Sequence, residues 1–295
     1  MARRRKLSRR RKGGGGIRRW LKTVMVSALV SFGAGTWALH SSLLDGVDLA
    51  QVLAQLDIDN RLGLWGQQVS APEGEYAQTS FARCRHFFPN QQPPAVPAGQ
   101  ALRELCFTPF AVLHSGQRKT PVFVAQRLNR QMLNAARHVP RTDRFYEEAR
   151  LPRSERATLG DYQGSGFDRG HMAPAGDMHD DESMAQSFSL ANIVPQDAQH
   201  NRGAWATIEA DTRQYVMRAQ GDVHVITGPV YEGRMETVGE GRIAVPDYLY
   251  KVVVDATTGR SWVHWHENSS RARAAPPISY ETFVKRTGLD FLALY

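Results

Sequence analysis

Cysteine is scarce: the 295 residues contain only Cys84 and Cys106. Neither belongs to a Cys-x-x-Cys pair and no paired-histidine spacing accompanies them, which argues against a structural zinc site. No segment has the ligand spacing of an EF-hand loop, and no internal repeat is visible. Acid is missing from residues 1–22, and charge of either sign is missing from residues 23–44. These last two absences change the meaning of the net charge of +8 and the pI near 9.7. Eleven of the 37 Lys and Arg fall in residues 1–22, so the remaining 26 face 29 acids and residues 23–295 sum to −3. The basic character belongs to a tail, and any phosphate-binding surface on the body has to be local.

The basic tail runs through Gly13-Gly14-Gly15-Gly16 into Thr23–Leu44, whose core from Val24 to Leu39 reads VMVSALVSFGAGTWAL. A basic flank followed by about 20 uncharged, mostly apolar residues suits membrane insertion with the N-terminus inside. A secretory signal would be cut near Ala38, but no clean A-x-A site is present. An uncleaved anchor fits that lack better. Either way the body is exported: held at the periplasmic side of an inner membrane if the segment stays, secreted if it is cut. In an oxidising compartment Cys84 and Cys106 are expected to pair, closing a loop worth on the order of 3 kcal/mol. The expected organisation is a basic tail (1–22), a transmembrane anchor or signal (23–44), a spacer (45–78) and one domain (79–295), long enough to build a real core.

Within the body, Pro89–Pro97 reads as a surface loop. Phe107–His114 and Pro121–Leu128 read as a hairpin around Ser115-Gly116. Residues 130–165 are polar and weakly patterned and read as irregular. A short helix fits 180–190. The clearest helix is 202–219, where Trp205, Ile208, Thr212, Tyr215, Val216 and Ala219 recur at helical spacing. Val223–Thr227, Ile243–Val245, Tyr248–Asp255 and Trp262–His266 read as strands, and Ser279–Thr287 as a closing helix. The run at 262–266 was expected to set its two histidines on one face and its two tryptophans on the other, as part of a half-buried sheet. Strands precede and follow the main helix rather than alternating with it, which predicts an α+β fold with a largely antiparallel central sheet.

The stretch Phe167-Asp168-Arg169-Gly170-His171-Met172-Ala173-Pro174 gathers an arginine, a backbone of close approach and an imidazole. Phosphodiester cleavage needs a group to take a proton from water. A histidine near its ordinary pKa of about 6.5 can do that. A hard cation held by few protein oxygens can bind the phosphate and stabilise the leaving oxygen, and a guanidinium can neutralise phosphate with a bidentate fork. Each residue also has a plainer explanation. Asp168 beside an arginine is more often half of a local ion pair. Asn192 fits a turn and Asn201 a helix N-cap. Glu209 and Arg213, four apart, fit a surface ion pair. At ~1.5 Å per residue Glu209 lies about 12 Å along the helix from Asn201, so it reaches a shared ion through water rather than directly. The acidic run Asp177, His179, Asp180, Asp181, Glu182 reads as a solvated loop or helix start.

Asp168-Arg169-Gly170-His171 with Met172-Ala173-Pro174 resembles the signature of the DNA/RNA non-specific endonucleases. These are the ββα-metal nucleases, which include secreted bacterial nucleases and endonuclease G. Asn192-Ile193-Val194-Pro195-Gln196, Asn201-Arg202-Gly203-Ala204-Trp205, Glu209 and Arg213 follow in the family's order and spacing. Val225-Ile226-Thr227-Gly228-Pro229 and Pro246–Val254 resemble its next two strands, so the likeness runs from about Arg83 to Tyr295. The resemblance implies His171 as general base and Asn201 as direct ligand of a single Mg²⁺, for which Mn²⁺ may stand in. Glu209 would hold a metal-bound water, and Arg169 and Arg213 would contact phosphate and stabilise the transition state. Asn192 would shape the site and orient His171. An upstream arginine contacting phosphate matches Arg144 best, with Arg141 the other choice. DNA and RNA are the implied substrates, with 5′-phosphate and 3′-hydroxyl products, since contacts go to the backbone rather than to base edges. The basic tail and the −3 balance of the body depart from the family pattern.

Two other functions use the same residues. One is a non-catalytic nucleic-acid-binding module, against which the base and metal-ligand types argue. The other is an exported phosphodiesterase acting on smaller phosphoesters.

Overall fold

The computed structural model describes residues 67–68, 75–273 and 275–292. The segment 23–44 expected to enter a membrane lies outside them, and among the described residues no helix is long and apolar enough to cross one. The described residues belong to one compact unit, Leu62–Tyr295.

The strands are β1 (Gln67–Gln68), β2 (Tyr76–Gln78), β3 (Ala95–Pro97), β4 (Leu102–Cys106), β5 (Ala111–Ser115), β6 (Thr120–Leu128), β7 (Asp168–His171), β8 (Ile193–Gln196), β9 (Val223–Val230), β10 (Thr237–Val238), β11 (Ile243–Ala244), β12 (Tyr248–Asp255) and β13 (Ser261–Glu267). Seven form one sheet in the order β1-β4-β5-β6-β9-β12-β13, and every pairing in it is antiparallel. This is the expected α+β sheet. Strands β1 and β2 fall inside the expected spacer, so ordered structure starts before residue 79. At two and three residues they are too short to show a period-2 pattern.

The helices are α1 (Arg130–Ala136), α2 (Leu159–Tyr162), α3 (Asp181–Ser187), α4 (Ala206–Arg218) and α5 (Tyr280–Thr287). Helix α1 stands where irregular structure was expected. It buries only Leu133, so it has almost no hydrophobic stripe, and its start is fixed by Asn129, whose side chain accepts from Met132 N. Ser279 caps α5 in the same way by accepting from Thr282 N.

The sheet divides the core. On its back face Phe81, Phe88, Phe123, Tyr250, Val252, Phe283 and Phe291 form one cluster. On its front face Val112, Val124, Met172, Phe188, Trp205, Ile208 and Leu249 form another. Alternation along β12 sorts its residues: Tyr250, Val252 and Val254 point back, while Leu249 and Val253 join the front clusters. Helix α4 buries Ile208, Thr212 and Val216 on the front, as its spacing predicted. The expectation for β13 needs correcting. Trp262 Nε1 donates to His264 Nε2 at 3.2 Å, so Trp262 shares the histidine face and only Trp265 lies opposite. Residues two apart on a strand share a face.

Cys84 and Cys106 form a disulfide with Cα atoms 5.8 Å apart, tying the segment before β3 to the end of β4.

Candidate active site

The Asp168–His171 motif is strand β7, paired antiparallel with β8 so that Asp168 faces Gln196 and His171 faces Ile193. A Cβ at Gly170 would come within 2.6 Å of the Gln196 Cβ, so only glycine fits there. Alternation puts Arg169 and His171 on one side of this ribbon. Both pack on Phe145: the guanidinium carbon of Arg169 lies 4.1 Å above its ring, and the His171 ring centre is 5.5 Å away. Phe188 meets His171 edge-on at 5.0 Å. Burial first, then the Arg141 guanidinium, push the His171 pKa down to about 3; Asp143 pulls the other way, and Arg169 adds a smaller downward push. The imidazole is therefore neutral throughout the physiological range, not poised near 6.5. Its Nε2 is buried without a hydrogen-bond partner, leaving a lone pair or a proton unassigned.

Asn192 holds the chain that leaves β7. Its Oδ1 accepts from Ala173 N at 2.8 Å, and its Nδ2 donates to Ala173 O and Ser187 O, both at 2.9 Å. It is fully buried and its amide is used up, so it can position His171 but cannot touch a substrate.

Asn201 is not an N-cap. Asp197 caps this helix by accepting from Gln199 N and His200 N, and Asn201 opens a π turn, Asn201–Trp205, that leads into α4. π turns are frequent at functional sites, and here geometry gives a reason. In an unbroken α-helix, residues eight apart are rotated about 80° from each other. One residue absorbed by the π turn brings Asn201 and Glu209 back to within about 20°. Asn201 Nδ2 donates to Asp168 Oδ2 at 2.9 Å, which leaves its Oδ1 as the outward oxygen. Asp168 is also gripped by Arg202 Nε and a second Arg202 nitrogen, at 2.9 and 2.6 Å. Asp168 is thus half of an ion pair, but with Arg202 rather than the adjacent Arg169.

The expected Glu209–Arg213 pair gives way to another partner. Arg213 donates to Asp177 Oδ1 at 3.1 Å, and Asp177 is buried. Glu209 is half-buried, and burial raises its pKa to about 7, opposed first by Lys251 and only later by Arg213 and Arg141. In the rest of the 177–182 run Asp180 caps α3 through Ser183 N at 2.7 Å, Glu182 accepts from Thr108 and Gln186, and Asp181 is exposed.

Arg141 and Arg144 are both exposed. The Arg141 guanidinium sits 5.2 Å from the centre of the Phe188 ring, which also packs on His171, and it pairs with Asp143. Sequence reasoning also missed Asp177 and Lys251. Asp177 carries no distinguishing spacing. Lys251 carries one, as a lone charge inside the apolar run Tyr248–Val254.

The sequence profile of a family described as DNA/RNA non-specific endonuclease matches residues 92–293. A mitochondrial nuclease EXOG of Xenopus laevis is 36% identical over 159 residues, 49% of this chain and 43% of that protein. Nuclease C1 of Cunninghamella echinulata var. echinulata is 41% identical over 122 residues, 38% of this chain and 48% of that one. A nuclease of Nostoc sp. is 32% identical over 200 residues, 62% of this chain and 71% of that one. The matched segments thus span less than half of the Xenopus and Cunninghamella proteins. Among solved structures, the EndoG/EndoGI complex contains a chain with the same fold. It aligns at 23% identity with a TM-score of 0.59, over 72% of this chain and 91% of that one.

Proposed function

Because the chain belongs to the DNA/RNA non-specific endonuclease family, we propose that it is a metal-dependent, sugar-non-specific endonuclease hydrolysing phosphodiester bonds in DNA and RNA. The observation that carries this reading is the setting of His171. Its Nε2 has no protein partner, and the two phenyl rings it packs on, Phe145 and Phe188, carry the Arg169 and Arg141 guanidiniums. A neutral imidazole can take a proton from water, and the adjacent positive charges favour an anionic phosphoryl group beside it.

The donor set fits a hard divalent cation. Asn201 presents an amide oxygen because Asp168 holds its nitrogen, and Glu209 supplies a carboxylate from the same side of the helix. Among the described residues no three His, Cys, Asp or Glu side chains converge on one point. An ion here would therefore be held by Asn201 directly, by Glu209 through water, and otherwise by solvent, as suits Mg²⁺ or Mn²⁺. When bound it supplies a positive charge for the phosphate and leaving oxygen. The protein does the rest. Asn192 fixes the chain that carries His171, His171 accepts the proton, and Arg169 neutralises phosphate oxygens, joined by Arg141 when it exchanges Asp143 for phosphate. Arg213 is committed to Asp177 and contributes by ordering that acid, and it can reach phosphate only by exchanging partners.

We further propose that the body works outside the cytoplasm, anchored by or released from residues 23–44. The Cys84–Cys106 disulfide supports an oxidising compartment.

The test is the full-length oxidised chain mixed with supercoiled plasmid and with RNA, each with Mg²⁺, with EDTA and with His171→Ala. Degradation of both nucleic acids that needs metal and His171 is expected. Intact nucleic acid retarded on a gel would replace the enzyme with a binding module. Neither cleavage nor retardation would point to smaller phosphodiesters.

A further inference from the structure

Lys251 is a charged side chain on the penultimate strand of the sheet and only 1% exposed. On β12 it lies between Thr227 of β9 and His264 of β13, on the face that carries α4. Its Nζ donates to Thr227 Oγ1 at 2.8 Å and sits 5.4 Å from the centre of the Trp205 ring, at the end of the π turn. Removing an ammonium from water costs several kcal/mol even after the protein relaxes. A methionine would fill the same slot without that cost. The charge therefore needs an electrostatic reason. Trp205, whose ring the ammonium approaches, and Glu209 are four apart and so neighbours on one helix face. Burial lowers the Lys251 pKa; the carboxylates of Glu209 and Asp177 oppose that fall, and Arg213 adds to it. Asp177 already has Arg213 at 3.1 Å. Glu209 has no such pairing, although Arg213 is its neighbour along the helix.

We propose that Lys251 is a positioning residue for the reaction, whose buried ammonium, fixed on Thr227, is the counter-charge that sets the Glu209 carboxylate in place beside Asn201. The proposal rests on the endonuclease reading for what Glu209 does. It adds a cation to the site that approaches from beneath the helix, through the sheet, and never meets substrate. Arg213 serves Asp177, and Lys251 serves Glu209.

A cycle of four full-length chains tests this: wild type, Lys251→Met, Glu209→Gln and the double variant. Each is assayed for plasmid nicking with saturating Mg²⁺ and, separately, for Mn²⁺ binding by electron paramagnetic resonance without nucleic acid. Outer partners of metal-site ligands typically cost about 10–100-fold in affinity or activity when removed. Lys251→Met is expected to lower kcat and Mn²⁺ affinity each by at least about tenfold, with KM for DNA changing less than about threefold. On the Glu209→Gln background the same change should cost no more than about twofold, because the group it serves is gone. Equal losses on both backgrounds, or full Mn²⁺ affinity in Lys251→Met, would overturn the proposal. If Lys251→Met does not fold, Thr227→Val takes its place in the cycle. It frees the ammonium without removing it and should give a smaller loss that again vanishes with Glu209→Gln. A wild type that binds Mn²⁺ yet cleaves nothing would defeat the endonuclease reading alone, because the binding cycle would still decide the role of Lys251. A wild type that binds no Mn²⁺ would overturn both.

Discussion

The two faces of the central sheet are built from the same strands but to different ends. The back is an aromatic cluster: Phe81 and Phe88 stand 4.8 Å apart, Phe123 and Phe291 5.3 Å, and Tyr250 and Phe283 4.8 Å. The front buries Lys251, Asp177, Thr227 and Gln126 among its apolar residues. Several of its polar atoms lack partners, including both amide atoms of Gln126, both ring nitrogens of His266, His200 Nε2 and Trp205 Nε1. Buried polar atoms without partners lower stability, and most of those on the front surround the π turn and Lys251 rather than the aromatic cluster. The back face supplies stability that lets the front carry a charged site.

The largest separation of the two should come from one substitution on each. His171→Ala is expected to lower kcat for plasmid nicking by about 10³-fold, within the usual range for losing a general base, while leaving thermal unfolding nearly unchanged. Phe283→Ala on the back should do the reverse, costing roughly 3–5 kcal/mol of stability in urea unfolding with kcat intact well below the transition. A comparable loss of rate in Phe283→Ala at full folding would show that the faces are not separate, and near-native cleavage by His171→Ala would remove the mechanism.

A finer split concerns the arginines. Arg141→Ala should reduce kcat/KM by about 10–100-fold, as loss of a charge-assisted phosphate contact does, whereas Arg144→Ala should change it less than about threefold. Equal effects would mean that the loop before Phe145 rearranges when nucleic acid binds.

That loop also marks where sequence stopped being informative. The strands from 107 to 128 and from 223 to 266 and the helix over 202–219 were readable because β-branched and aromatic residues recur at fixed periods. Helix α1 was not, since one buried leucine makes no stripe. The motif residues 168–171, 192, 201, 209 and 213 could be read from their types and order, but their partners could not. Arg213 choosing Asp177, Asp168 choosing Arg202 and Asn201 opening a π turn rather than capping are set by which elements meet in space. Lys251 was the one clue left unused, because a lone lysine in a buried strand already asks for a carboxylate.

The smallest effect, and the most specific to the front face, is in how stability responds to pH in EDTA. Four histidines have folded pKa values far below the unfolded 6.5: His171 at about 3, and His114, His200 and His264 at about 4. Between pH 4 and 6.5 the unfolded chain binds protons that the folded one refuses. Each such group makes stability rise with pH, by at most about 1.4 kcal/mol per unit. Glu209 acts in the opposite sense. Its folded pKa is raised to about 7 from 4.5, so the folded chain keeps a proton that the unfolded one releases, and stability falls as pH climbs through that window. The histidines outnumber it, so the melting temperature should still rise from pH 4.5 to 6.5, but less steeply than they alone would give. Glu209→Gln removes the opposing group. Its melting temperature should climb more steeply over the same interval and exceed that of the wild type above pH 7, where the wild type must bury an ionised carboxylate with no metal ion beside it. Parallel curves for the two proteins would mean that Glu209 is well solvated, and the contrast between the faces would then rest on Lys251 and the histidines alone.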